Sequence, residues 1–296
     1  MNARKAVSPA RDAVGLALGA GGVSGFAHIV VLELFDELGV RPAMIAGASM
    51  GAIVGAAYAA GLTGRELRAH LLGLLRDRAG AMSRALQARA TRGAWFSGFG
   101  NPMLVDGERF LELFWPRGVP TAFEELAIPL KVAATDYFAR SRIVYEAGPL
   151  APAVAGSMAV PGLVQPVAFE GRALIDGGAV DPLPYDLLFA YCARVVACDV
   201  IGGPVGDGRA APGPFEAMFS ASQIMQTAIV REKLAARAPH ALLRPPVDAF
   251  RALDFFRATQ IFRACDEARD DMKRAIEAAL EAPAAEPRAG SKKGGF

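Results

Sequence analysis

Apolar and polar positions divide the first part of the chain into short apolar runs and longer helical stripes. Val14–Leu18 and Met44–Ala48 are short apolar runs, which predicts buried strands. Gly25–Leu38 repeats apolar residues at helical spacing and is followed by Gly39, a typical helix stop. Ala52–Ala60 predicts a second helix, and its small residues permit close packing. Strand and helix therefore alternate twice.

The remainder of the chain continues this alternation. Thr63 and Glu66 match a capping box, which opens an amphipathic stretch that runs to about Ala90. Ala252–Ala279 alternates apolar and charged positions as a surface helix does. Further strands are predicted at Leu130–Thr135, Arg142–Glu146, Ala173–Ile175 and Arg194–Val200. This order predicts an α/β fold with a mostly parallel central sheet.

Three stretches without charged residues are long enough to cross a bilayer: Ala13–Leu32, Pro42–Gly64 and Ala147–Phe169. Glycines or prolines interrupt each of them, and such stretches fit strand–turn–helix units buried against a covered sheet. The basic N-terminus leads into a glycine-rich turn and not into an apolar segment with a cleavage site. The sequence therefore predicts neither a transmembrane helix nor a signal peptide.

Composition narrows the class of protein. The 296 residues are 53% hydrophobic and 21% charged, which is enough apolar material for a sizeable core. A net charge of +2 without a basic stripe argues against nucleic acid as a partner. Cys192, Cys198 and Cys265 lack the spacing of a disulfide framework or a zinc site, so no metal is expected and a reducing cytoplasm is the simplest setting.

A Gly-x-Ser-x-Gly pattern, Gly47 to Gly51, lies between a predicted strand and a predicted helix. A nucleophilic serine needs a sharp turn without side-chain crowding, and the helix that follows directs its positive end toward developing negative charge. Ser49 is therefore a candidate nucleophile. A tight buried turn without a catalytic role is the other interpretation of this pattern.

A second glycine-rich loop, Gly19 to Gly25, also joins a strand to a helix. Its converging N–H groups could bind a phosphate or the oxyanion of an acyl-transfer intermediate. A dinucleotide-binding oxidoreductase would need Gly-x-Gly-x-x-Gly. In the register that starts at Gly19 the last position is Ser24, so the oxyanion interpretation is better.

Four residues are candidates for the general base. His28 and His70 lie in predicted helices, where packing is the simpler role, and His240 has the chain order of a triad but no motif around it. Asp176 precedes Gly177 and Gly178 at the end of a predicted strand, so it could reach across a site without obstruction. An ordinary Asp-Gly turn remains the alternative.

In combination these motifs resemble the small bacterial branch of the patatin-like phospholipase family. The similarity extends through GFAHIVVLELFDELGV, KVAATD, AVAGSMAVPGLVQPV and RALIDGGAVDPLP, is strongest over residues 14–200, and defines one α/β hydrolytic domain over 13–281. Residues 1–12 are predicted to be flexible and 282–296 disordered. The resemblance implies a three-layer fold with helices on both faces of the sheet. It also implies a Ser49–Asp176 dyad, with the amides of Gly21, Gly22 and Val23 as the oxyanion hole.

The resemblance implies a lipid acyl hydrolase that forms an acyl-enzyme, needs no cofactor and contacts membranes peripherally. A non-catalytic lipid-binding relative is the alternative. Ser24 stands where the family usually has Arg or Lys, which favours "esterase" over "phospholipase", and Asp181 replaces a common asparagine and would raise a neighbouring carboxyl pKa if close. Candidates for an acyl groove, or for a small helical core, are Trp95, Phe96, Phe99, Met103, Phe110, Phe114 and Trp115.

Overall fold

A computed structural model describes residues 10–76, 80, 105–204, 211–250 and 254–284. The strands in these ranges are β1 Ala10–Leu18, β2 Met44–Ala48, β3 Leu130–Asp136, β4 Ser141–Tyr145, β5 Val167–Phe169, β6 Arg172–Ile175, β7 Cys192–Cys198 and β8 Ala241–Leu243. The α-helices are α1 Ala27–Glu37, α2 Met50–Ala59, α3 Gly64–Arg76, α4 Gly107–Phe114, α5 Leu150–Ser157, α6 Pro214–Ala236, α7 Ala258–Glu267 and α8 Arg269–Glu281.

The strands form one mixed sheet. β8, β7, β1, β2 and β3 are parallel neighbours in that order, and β4 and β6 both pair with β3 in the antiparallel sense. β4 covers one edge of β3 along its length, whereas on the other edge β2 ends opposite Ala133 and β6 ends opposite Thr135. Because β2 and β6 run in opposite directions along the same side of β3, their C-terminal ends meet beside Ala134.

Helices cover both faces of this sheet, which confirms the predicted three-layer α/β fold. Side chains alternate along each strand, so Leu16 and Leu18 belong to the larger core with α1 to α3, whereas Ala17 belongs to a smaller core. The smaller core is formed with the turn at Tyr185–Leu188 and with Val230 of α6. Within the described ranges, no helix is both long and apolar enough to cross a membrane.

Several boundaries differ from the sequence predictions. β1 begins at Ala10, so residues 10–12 belong to the sheet and not to a flexible lead-in. The predicted surface helix Ala252–Ala279 is two helices that break at Ala268, because the chain turns to pack α8 against β7 and β8. The capping box is confirmed by reciprocal hydrogen bonds between Thr63 and Glu66. Nothing in the sequence predicted α6, which spans 23 residues.

Candidate active site

Ser49 lies between β2 and α2 on a strained turn. Its φ of 53° and ψ of −122° are unusual for a residue with a side chain. The neighbouring backbone is crowded, since a Cβ on Gly51 would overlap the Leu18 carbonyl oxygen and one on Gly47 would lie 2.6 Å from the Gly51 oxygen. This crowding is the physical reason for the two glycines of the Gly-x-Ser-x-Gly pattern.

Ser157, the last residue of α5, holds this turn in place. Its hydroxyl accepts a hydrogen bond from the Ser49 amide at 2.9 Å and donates one to the Ala133 carbonyl at 2.7 Å. The side chain is fully buried, so both bonds are shielded from water. Ser157 lies at the end of its helix, and no local sequence motif indicated its contact with Ser49.

Asp176 follows β6 and lies at the point where β2 and β6 meet. Its amide donates to the Ala159 carbonyl at 3.0 Å, and its carbonyl accepts from Thr135 Oγ1 at 2.8 Å. Its Oδ1 accepts from the Gly178 amide at 2.7 Å. A Cβ on Gly177 would overlap the Ala133 carbonyl oxygen, so the turn packs directly on β3. The head-to-head strand ends thus bring Asp176 toward Ser49.

The Asp176 carboxyl has an unusual electrostatic environment. Burial raises its pKa to about 6, against smaller lowering effects of the Ser49 side chain and the Gly178 amide. Oδ2 is buried and accepts no regular hydrogen bond from the described residues. The Ser49 hydroxyl is close enough to lower the pKa of this carboxyl slightly. Its distance or angle to Oδ2 does not meet hydrogen-bond criteria in this conformation. Such bonds often shorten only when substrate is bound.

The loop after β1 meets both of these turns. The amides of Gly19 and Ala20 donate to the Cys198 and Pro182 carbonyls at 3.0 and 2.8 Å. A 3₁₀ turn then starts at Gly22, and the first N–H groups of a helical turn have no partner within it. On the Asp176 side, a Cβ on Gly178 would lie 3.1 Å from the Ala20 Cβ. The loop, the Ser49 turn and the Asp176 turn therefore converge.

The comparison with protein families agrees with this arrangement. The sequence profile of a family described as "Patatin-like phospholipase" matches residues 16–189. The chain belongs to the patatin-like phospholipase family. The matched range contains the glycine loop, the Ser49 turn and the Asp176 turn, together with the end of β1.

Two relatives are about a third identical to the chain over the residues that align. An NTE family protein of Mycobacterium tuberculosis is 32% identical over 225 residues, which covers 76% of this chain and 59% of the relative. The lysophospholipase NTE1 of Mycosarcoma maydis is 32% identical over 191 residues, covering 63% of this chain and 10% of that protein. The structure of VipD from Legionella pneumophila has a TM-score of 0.49 at 14% identity, covering 92% of this chain and 67% of VipD. The chain thus spans less than two thirds of these mycobacterial relatives' length.

The three histidines have structural contacts. His28 Nε2 donates to the Gly19 carbonyl at 2.8 Å, and complete burial lowers the pKa of His28 to about 4. His70 bonds to the Phe114 carbonyl at 2.9 Å. His240 Nδ1 accepts a hydrogen bond from the Val195 amide at 3.0 Å. His240 precedes β8, the last strand of the sheet, and so lies at the N-terminal end of the parallel strands, whereas Ser49 lies at their C-terminal end. No contact places a histidine in the role of base, and His28 supports the glycine loop.

Two departures from the family pattern have clear positions. Ser24 is fully buried and its hydroxyl has no hydrogen-bond partner among the described residues. Asp181 is also buried, and it forms ion pairs with Arg142 and Lys233. The pKa of Asp176 is raised by burial and not by Asp181, since the two cations already balance the Asp181 carboxylate.

Two cavities lie near the site. One has a volume of about 290 Å³ and includes Asp176 and Gly178 with residues of α6, among them Met218, Phe219 and Met225. The other has a volume of about 90 Å³ and is apolar. It lies between α2, α3 and α4, and neither Ser49 nor Asp176 lines it. Phe110, Phe114 and Trp115 contribute to its wall, whereas the other aromatic candidates and Met103 fall outside the described residues. Among the described residues no cluster of His, Cys, Asp and Glu could hold a metal.

Proposed function

We propose that the protein is a lipid acyl hydrolase, a serine esterase that uses Ser49 as nucleophile and Asp176 as base. The observation that carries the proposal is the head-to-head meeting of β2 and β6, which brings a strained serine turn beside a buried carboxyl of raised pKa. Family membership and the lysophospholipase name of a relative support the same class of reaction.

The proposed reaction proceeds in two steps. Asp176 takes the proton of the Ser49 hydroxyl while Ser49 Oγ attacks the ester carbonyl, and the alcohol leaves with that proton to give an acyl-enzyme. Water then attacks the acyl group by the same route and releases the fatty acid. The amides of Gly21, Gly22 and Val23 would stabilise the oxyanion of both tetrahedral intermediates. No residue of this cycle depends on a metal or an organic cofactor.

The raised pKa suits Asp176 to this role. A carboxylate with an ordinary pKa of about 3.9 is a weak base at neutral pH. A pKa of about 6 makes Asp176 a stronger base while it remains mostly ionised at pH 7. Desolvation thus offsets part of the disadvantage of using aspartate in place of histidine.

The proposed substrate is a fatty acyl ester. The cavity at Asp176 is lined by Val160, Pro161 and the apolar residues of α6, which fits an acyl chain next to the reacting carbonyl. Ser24 offers no cation to a phosphate group, so the proposal covers phospholipid, lysophospholipid and neutral lipid esters without ranking them. The protein is proposed to act in the cytoplasm and to contact membranes peripherally.

Hydrolysis of short and long acyl esters by wild type, Ser49→Ala and Asp176→Asn tests the proposal. Both variants should lose about 1000-fold or more of kcat, and a fluorophosphonate probe should label wild type but not Ser49→Ala. His240→Ala is the matched control and should retain activity. Undiminished activity of Asp176→Asn would exclude the dyad. A folded wild type that neither hydrolyses esters nor reacts with the probe would favour a non-catalytic lipid-binding relative.

A further inference from the structure

The turn between β3 and β4 exposes two adjacent aromatic side chains. Tyr137 is 56% exposed and Phe138 is 78% exposed, and their rings meet edge to face at 5.2 Å. β3 runs parallel to β2, so this turn and Ser49 both follow the C-terminal ends of their strands, at the same end of the sheet. Two exposed aromatic rings in contact form a contiguous apolar patch, and such patches mark surfaces that interact with proteins or membranes.

Helix α6 contributes a second apolar surface. Met218, Ile224 and Met225 are 48%, 57% and 60% exposed, and α6 has no charged residue from Ala217 to Val230. Met218 and Met225 also line the cavity that contains Asp176. The exposed side of α6 is therefore continuous with the proposed substrate cavity.

Ion pairs connect these two elements. Asp181 binds Arg142 at the start of β4 and Lys233 near the end of α6, and Asp186 binds the same two cations. Because Arg142 pairs with Thr135 just before the aromatic turn, the turn and α6 are fixed to one buried anchor. The two exposed apolar surfaces thus belong to elements that one buried carboxylate connects, and the surface of α6 adjoins the Asp176 cavity.

We propose that the turn at Tyr137 and Phe138, together with the exposed side of α6, docks on an anionic lipid bilayer and delivers acyl esters to the Asp176 cavity. The proposal rests on the proposed function. Charge favours this occupant, since Arg140 in the same turn is exposed and forms no ion pair within the described part of the chain. A cation beside aromatic side chains suits the interface of a bilayer, where rings enter the acyl boundary and cations meet headgroups.

Vesicle cosedimentation of the full chain tests this surface. Phe138→Ser with Ile224→Ser changes one exposed residue on each element and no residue that lines the cavity. The matched control is Tyr191→Ser, a ring that is 44% exposed just before β7 and lies beside Lys131, at the end of the parallel strands away from Ser49. Vesicles of phosphatidylcholine with phosphatidylglycerol should bind the double variant about tenfold or more weakly than wild type, and Tyr191→Ser normally. Arg140→Gln should abolish the preference of wild type for anionic over neutral vesicles.

Hydrolysis of a soluble short-chain ester separates this proposal from the proposed function. The double variant should hydrolyse that ester at the wild-type rate, which also shows that it folds, and should lose activity only on vesicle substrates. Wild-type binding of the vesicles by the double variant would overturn the docking surface while leaving the esterase intact. A dimer of the wild type that the double variant converts to a monomer would assign the surface to a second copy and would also overturn it. Absence of ester hydrolysis by wild type would contradict the proposed function itself.

Discussion

Ser49 and Asp176 meet at one point of the sheet but are held there in different ways. The Ser49 turn is confined sterically, with a positive φ, an amide bound by Ser157 and glycines where no Cβ fits. The backbone of Asp176 is also bound, yet one oxygen of its buried carboxyl has no hydrogen-bond partner among the described residues. The proposed nucleophile is thus distinguished by its backbone geometry and the proposed base by its electrostatic environment. The predictions below test this contrast.

The largest expected effect is on the glycines of the two turns. A Cβ on Gly51 or Gly177 overlaps a backbone oxygen of β1 or β3, which cannot move without breaking the sheet. Gly51→Ala and Gly177→Ala should each lower the free energy of unfolding by about 3 kcal/mol or more, measured by urea denaturation. Gly73→Ala, where a Cβ meets nothing within 4 Å, is the control. If Gly177→Ala kept its stability while Gly51→Ala lost it, only the Ser49 turn would be sterically confined.

Replacing Asp176, the proposed base, should stabilise the protein. Because the folded-state pKa of Asp176 is raised to about 6, its ionisation destabilises the fold as the pH rises through that value. Asp176→Asn should therefore gain about 2 kcal/mol of unfolding free energy at pH 8 and nothing below about pH 4. Asp181→Asn is the opposite case, since it breaks a buried carboxylate's ion pairs with Arg142 and Lys233 and should destabilise. A loss of unfolding free energy in both variants at pH 8 would contradict the inference that ionised Asp176 destabilises the fold.

Ser157 should affect catalysis because it positions the Ser49 turn. Ser157→Ala leaves the Ser49 amide and the Ala133 carbonyl without their partner, so kcat should fall about 10- to 100-fold with little change in KM. The rate of fluorophosphonate labelling should fall by the same factor. Ser24→Ala is a matched control, because Ser24 is equally buried but its hydroxyl has no partner among the described residues. Equal losses in both variants would indicate general destabilisation instead.

The smallest effect is the pH dependence of wild type. In the proposed mechanism Asp176 must be ionised to accept the Ser49 proton. The value of kcat/KM should therefore rise about tenfold from pH 5 to pH 7, with its midpoint near the Asp176 pKa of about 6. Asp181→Asn should leave this midpoint unchanged, since Asp181 does not contribute to the raised pKa of Asp176. A midpoint near pH 4 would show that burial does not raise the pKa of the base.

The sequence predicted the elements that local patterns encode. The strand β2 was predicted with its observed bounds, and the capping box at Thr63 formed as expected. Long-range contacts were not predicted. Ser157 lies 108 residues from Ser49. Helix α6 has little amphipathic pattern because its exposed side also carries apolar residues.

The sequence by itself determined the three motifs, because each depends on the shape of a few consecutive residues: a glycine loop, a serine turn and an Asp-Gly-Gly turn. It also determined the alternation of strands and helices, through apolar periodicity. Only the tertiary structure decided that β2 and β6 meet end to end beside β3, that Ser157 binds the Ser49 amide, and that burial raises the pKa of Asp176. Each of these depends on elements far apart in the chain, whose contacts and desolvation arise only when the whole sheet is assembled.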